Sequence, residues 1–248
     1  MSEKIQFIKE DFDFNNFSLS PPNGLQGGSY FTKLLNSDES LYIQTPKCNT
    51  KQGIIKTAKK TYCDLMFNSS DEVIIEWFEN LEKKLIELIY EKKDLWFHTP
   101  LEKEDIESQF TSPIRIYKSG KFYLVRVHVS HANILNSGEF NCYNEDGMSV
   151  DPNSLNDQSI VIIPLIEVQG VKFSSRSFSC EIALKQMMVL KKEEEVFNKC
   201  LITKPNYVKV ENNNTDTLLK NQDLEKNNEN NENNENNENN ENNENNEN

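Results

Sequence analysis

Apolar residues recur along the chain with two different periods as far as about Leu190. Between Ser29 and Phe67 they come in short runs such as Leu41-Tyr42-Ile43, Gly53-Ile54-Ile55 and Thr61-Tyr62-Cys63-Asp64-Leu65-Met66-Phe67, separated by turn residues. Runs of this length with short connections predict an antiparallel meander. The period then changes. Ile74, Phe78, Leu81, Leu85 and Leu88 recur at steps of four and three, Trp77 and Ile89 widen the stripe, and Glu76, Glu79, Lys83 and Glu87 face away. That spacing predicts an amphipathic helix over Asp71–Lys93, with a stripe wide enough to lie on a core. Ser69 and Glu72 stand at capping-box spacing before it. Thr99 and Glu102 repeat the signal, with Pro100 at the first position of a short helix that runs to about Phe110.

Beyond the helices, Ile114–Tyr117 and Phe122–Val129 predict a hairpin around Ser119-Gly120. Ser130–Ser159 is polar and turn-rich and predicts a long loop. Within it, Asn144-Glu145-Asp146-Gly147 reads as a turn, because the alternating oxygen ligands of a calcium loop are missing. Ile160–Val168 predicts a largely buried strand in which Pro164 demands an edge or a bulge. Phe178–Leu190 predicts one more strand, although its Met/Leu/Lys end is also compatible with a helix.

Residues 1–28 scatter Phe7, Phe12, Phe14 and Phe17 among Pro and Gly turn signals, which predicts an irregular arm docked by its phenylalanines. Residues 29–207 then form a globular, mainly β domain. Residues 208–248 form a disordered acidic tail, whose Glu-Asn-Asn repeat cannot bury enough apolar surface to offset its ordering entropy. The expected class is α+β: a mainly antiparallel sheet, with an OB-like barrel as one form it can take, and one long amphipathic helix packed against it.

Charge alters the picture once it is divided. The segment from Glu211 to Asn248 has 11 acidic residues and 2 lysines, so it carries −9 of the total −13 and leaves −4 on the rest. The body is nearly balanced, and its cations can form local patches that the overall charge conceals. The five cysteines are odd in number and widely spaced, and the polar start Met1-Ser2-Glu3-Lys4 lacks the apolar region of a secretion signal. No apolar run approaches the 18 residues of a membrane span. The expectation is reduced thiols in an intracellular, non-secreted protein without a membrane partner.

Catalytic signatures are lacking. Gly24-Leu25-Gln26-Gly27-Gly28-Ser29 has the spacing of neither a dinucleotide fingerprint nor a P-loop. His98, His128 and His131 are the only histidines, and no Cys-x-x-Cys accompanies them, so no metal or other cofactor is expected. Nothing pairs two carboxylates as acid and base. The chain reads as a non-enzyme.

A pattern of cations and rings remains on the C-terminal strands. One group is Arg115, Tyr117, Lys118, Lys121, Phe122, Tyr123 and Arg126; the other is Lys172, Phe173, Arg176, Phe178 and Lys185. Single-stranded nucleic acid is gripped by such residues, with cations on the phosphates and ring faces under the bases. Arg115, Lys121, Arg126, Lys172 and Arg176 are the expected phosphate contacts, and Tyr117, Tyr123 and Phe173 the expected stacking surfaces. The plainer reading is that strands are rich in aromatics and that edge lysines discourage aggregation.

Several segments resemble a family of proteins from nucleocytoplasmic large DNA viruses of the mimivirus and phycodnavirus kind. They are Leu25-Gln26-Gly27-Gly28-Ser29-Tyr30-Phe31, Ile43-Gln44-Thr45-Pro46-Lys47, Lys60-Thr61-Tyr62-Cys63-Asp64-Leu65, Trp96-Phe97 with Asp105-Ile106-Glu107, and Gly170-Val171-Lys172-Phe173 with Phe178 and Lys185-Gln186. The likeness covers roughly Ser18 to Leu190. More loosely, the order helix, hairpin, long loop, buried strand and closing Phe-containing strand is similar to that of single-stranded-DNA-binding proteins of large DNA viruses. This chain departs from them in a tail that ends in Asn and a body that is not net basic. The resemblance implies single-stranded DNA binding in viral replication, recombination or repair, in the host cytoplasm or the virion. The alternative is a virion or virus-factory structural protein whose partners are other viral replication or virion proteins.

Overall fold

The computed structural model describes residues 5–58, 60–129, 140–155, 158–174, 177–191 and 202. The expected tail, Arg176, His131 and Cys200 lie outside the described residues. The chain divides into a unit Met1–Asn198, which holds every element named below, and a second unit, Lys199–Asn248.

The strands expected of the meander form as β4 (Ser29–Asn36), β5 (Leu41–Gln44), β6 (Cys48–Lys56) and β7 (Thr61–Asn68), but the meander itself does not, because β12 (Val161–Ser174) inserts between β5 and β6. β6 and β7 form an antiparallel hairpin, whereas β4 and β5 pair instead with β12, far along the chain. The hairpin β9 (Ile114–Tyr117) and β10 (Phe122–Val129) forms as the pattern predicts. The apolar run at Ile160 extends further than expected, through Ser174, and pairs antiparallel with β13 (Ser177–Leu190), whose Met/Leu/Lys end is strand and not helix. Pro164 sits inside β12, where it has no N–H to give. Its carbonyl accepts the Thr45 N–H at 3.1 Å, and the register slips just beyond it, between Leu165 and Ile166.

Two expectations of irregular chain are corrected. Residues 1–28 contain β1 (Ile5–Phe7), β2 (Phe17–Leu19) and β3 (Asn23–Leu25), because β4 and β5 leave edges that short segments can pair with. The polar stretch after β10 contains β11 (Asn141–Asn144), which runs parallel to β13, and a 3₁₀ turn at Pro152–Leu155. β8 (Phe110–Thr111) completes the set by pairing with the start of β13.

Among the described residues thirteen strands are joined in this way, mostly antiparallel. One circuit returns to its start: β12 pairs with β6, β6 with β7, β7 with β10, β10 with β13 in parallel, and β13 with β12.

The long helix α1 spans Glu72–Glu91 and buries Ile74, Ile75, Trp77, Phe78, Leu81, Leu85, Ile86, Leu88 and Ile89 in the same core as the sheet. Each such side chain contributes about 1.5–3 kcal/mol of transfer free energy. Three of the four N-terminal phenylalanines dock here as expected, while Phe7 is 52% exposed. Phe12 and Phe14 lie 5.3 and 5.8 Å from the Trp77 ring, and Phe17 is buried beside them. Neither capping box forms where the spacing predicts: the first is absent and the second shifts. The Asp71 carboxylate turns back to accept the Asn68 N–H at 2.8 Å, so Asp71, not Ser69, precedes the helix. The short helix α3 (Lys103–Gln109) starts after Glu102, whose N–H donates to Asp105 at 2.9 Å, while Thr99 and Pro100 lie outside it. Between the two lies the single turn α2 (Lys93–Trp96). Among the described residues no helix is long and apolar enough to cross a membrane.

Candidate nucleic-acid interface

The pleat decides which predicted residues can meet. Along β10, Tyr123, Val125, Val127 and Val129 share one face, and all but Tyr123 are fully buried. Phe122, Arg126 and His128 share the other. Cross-strand register extends that outer face: Phe122 lies opposite Tyr117, Leu124 opposite Arg115, Arg126 opposite Asp64 and His128 opposite both Tyr62 and Ala183. Tyr123 therefore points away from Arg126 and packs against the core.

At the centre of the outer face stands Asp64, only 3% exposed. Arg126 grips it with Nε at 2.8 Å from Oδ1 and Nη2 at 2.9 Å from Oδ2, and Arg115 adds a third bond at 3.2 Å. Such fork-to-carboxylate pairs are among the strongest polar contacts a protein makes. Arg126 also lies 4.0 Å above the Tyr62 ring. Its bond to Asp64 raises its pKa further, so it stays charged. Both arginines are thus partly spoken for: their charge neutralises a carboxylate that would otherwise be buried alone. Further across the face, His128 Nε2 is 3.6 Å from Glu181, and Ser179 Oγ donates to Glu181 at 3.2 Å. Burial is the main cause that lowers the His128 pKa, with Lys60 and Arg126 adding to it and Glu181 opposing, so the imidazole is neutral at pH 7. Ser179 lies opposite Lys172 in register, and Lys172 is exposed. Lys185 is bonded to Glu167 at 3.4 Å.

The turn between β9 and β10 is different. Lys118, Ser119 and Gly120 all have positive φ, of 50°, 55° and 87°, which bends the chain tightly and throws the lysines outward. The Lys121 carbonyl accepts the Ser69 N–H at 3.1 Å, which ties the turn to the start of α1. Lys118 Nζ lies 5.5 Å from the Tyr117 ring and 5.7 Å from the Phe122 ring, and Lys121 Nζ lies 5.5 Å from Phe122. A third cation arrives from another strand: Lys51 Nζ is 4.9 Å from the Tyr117 ring. It comes from a bulge in β6 between Thr50 and Ile54. Gly53 permits that bulge, since with φ of 66° a Cβ there would sit 1.9 Å from the Leu155 carbonyl oxygen. Among the described residues, none of these three ammoniums pairs with a carboxylate.

The remaining expected contact, Phe173, is 4% exposed. It is covered by Tyr30, Trp96, Phe97 and Phe178, with ring centroids 5.5 to 6.0 Å apart across the group. Its faces are therefore not presented to solvent. Arg115, Tyr117 and Arg126 do share the outer face, Lys121 lies in the turn beside Phe122, and Lys172 lies further along the face. Lys51 escaped notice in the sequence because only the bulge brings it to Tyr117.

No family model matches this sequence, and no curated protein matches it. Among solved structures, the single-stranded DNA-binding protein from bacteriophage Enc34 is similar at a TM-score of 0.35 and 10% identity, over 71% of this chain and 92% of that one. The same phage protein in complex with ssDNA aligns at 0.34 and 10%, over 73% and 98%. The single-stranded DNA binding protein gp2.5 of bacteriophage T7 aligns at 0.38 and 8%, over 62% and 93%. At this level of similarity, function has to be argued from the surface of this chain itself.

Proposed function

We propose that this chain binds single-stranded nucleic acid, DNA foremost, by charge attraction and base stacking and without covalent chemistry. The circuit β12–β6–β7–β10–β13 would be an OB-like five-stranded barrel, and its outer face the binding surface. One observation carries the reading: Lys51, Lys118 and Lys121 stand at the Tyr117 and Phe122 rings, and none of them forms an ion pair among the described residues. Ammoniums at such rings can contact phosphates while a ring face takes a base. The buried thiols of Cys63 and Cys142, pushed up to about 12 chiefly by desolvation, stay protonated at neutral pH. On the resemblance noted above, the setting would be replication, recombination or repair of a large DNA virus, in the host cytoplasm.

Titration of a labelled oligonucleotide at several salt concentrations, with the whole chain and with a chain ending at residue 207, tests the proposal. Log affinity should fall with log salt at a slope of about −0.7 per phosphate contacted, and removal of the acidic tail should tighten binding. Salt-independent or undetectable binding, with self-association in its place, would favour the structural-protein alternative.

A further inference from the structure

Away from the β9–β10 turn, between α2, the start of β4 and the end of β12, lies a cleft of about 930 Å³. Its floor is a ladder of rings. Phe173 is parallel to Trp96 within 7° at 5.8 Å and to Tyr30 within 19° at 5.5 Å. Tyr30 is 48% exposed, and Leu95 on the cleft's rim is 81% exposed. Thr99, His98 and Gln109 supply polar edges, and Lys92 supplies a cation. Lys172, next in sequence to Phe173, is exposed on the sheet's outer face.

The ring orientations select the guest. A cage for a quaternary ammonium sets its rings at steep angles around a point charge. Near-parallel rings open at the Tyr30 end suit a flat guest that lengthens the stack. The cleft's volume falls in the range of small-ligand sites. A flat ring with polar edges and an attached phosphate matches the stack, the edge groups and Lys92 together.

We propose that this cleft binds a nucleobase, stacked on the Tyr30–Phe173–Trp96 ladder with its phosphate toward Lys92. The base comes either from a free nucleotide or from a strand that also contacts the outer face, and the second source rests on the function proposed above. Trp96 is a built-in reporter, since the other tryptophan, Trp77, is buried on the core face of α1.

The test uses the full chain and three probes: adenosine monophosphate, an oligothymidylate, and an abasic strand of equal length. The intact protein should show Trp96 quenching with the base-bearing probes and none with the abasic strand. Of two variants, Leu95→Arg at an exposed position should keep the melting temperature, whereas Tyr30→Ala, which also uncovers Phe173, should lower it slightly. They should weaken the base-bearing probes about 5- to 100-fold and leave the abasic strand unchanged. Trp96→Phe should abolish the quenching, which identifies Trp96 as its source. Adenosine monophosphate binding that Leu95→Arg blocks, with no strand binding at all, would uphold the cleft and overturn the proposed function. Strand binding with no quenching, no mononucleotide binding and no effect of either variant would overturn the cleft and leave the proposed function standing.

Discussion

The centre of one sheet face and the turn that borders it use the same kinds of residue for different purposes. Around Asp64 the cations are arginines, held in fixed geometry by a buried carboxylate, with Tyr62 beneath one of them. At the β9–β10 turn the cations are lysines, exposed or half-buried beside two rings and paired with no carboxylate among the described residues. A guanidinium offers a rigid planar fork that suits a fixed bond, whereas an ammonium is a mobile point charge. The lesson is that positive charge near an aromatic ring does not define a binding surface. What defines it is whether the charge is already neutralised from within the fold.

The comparison breaks first if the lysines prove dispensable. Replacing Lys51, Lys118 and Lys121 together with alanine should lower oligonucleotide affinity about 100-fold or more at low salt. It should also reduce the salt slope by about 2, since each lost phosphate contact removes about 0.7. Melting temperature should hardly move. Tyr117→Ala comes next, with a loss of about 1–3 kcal/mol in binding if a base stacks on that ring, read in the same titration. Arg126→Ala should show the opposite profile. It leaves Asp64 with one partner, so stability should fall by about 1–3 kcal/mol in denaturant melts, with only a small loss of affinity. Asp64→Asn sharpens the contrast, because it releases both guanidiniums: affinity should rise a few-fold while stability falls.

The smallest effect is that of pH. His128 has a folded-state pKa below its ordinary 6.5, caused chiefly by burial. The unfolded chain therefore takes up the proton first. The stability that the neutral imidazole contributes is complete above about 6.5 and is lost as pH falls toward the folded pKa. Melting curves of the protein and of His128→Gln should converge at high pH and separate below 6.5, with the variant losing less.

Much of the fold was legible because burial imposes a period. The stripe from Ile74 to Ile89 could satisfy only a helix, and the run around Ile160 only a buried strand. The short strands β1, β2, β3 and β11 were not legible, since three or four residues carry no period and owe their form to a neighbour's open edge. The same physics governs the site. Arg115, Tyr117, Lys121 and Arg126 are neighbours because one hairpin carries them, and a hairpin can be read. Asp64 could not be foreseen as the partner of both arginines, because it lies on β7, 51 residues before Arg115 and 62 before Arg126. Nor could the burial of Phe173, which is set by Tyr30 from β4 and Trp96 from α2. Lys51 depended on a bulge whose only local sign was Gly53.

The central claim concerns location, and photochemical crosslinking addresses it most directly. A strand bearing iododeoxyuridine, irradiated with the full chain at low salt, should attach to the peptide that contains Tyr117 and Phe122. High salt should abolish the adduct. Adducts confined to other segments, or an equal yield in the variant lacking Lys51, Lys118 and Lys121, would contradict the assignment of that turn as the grip on the strand.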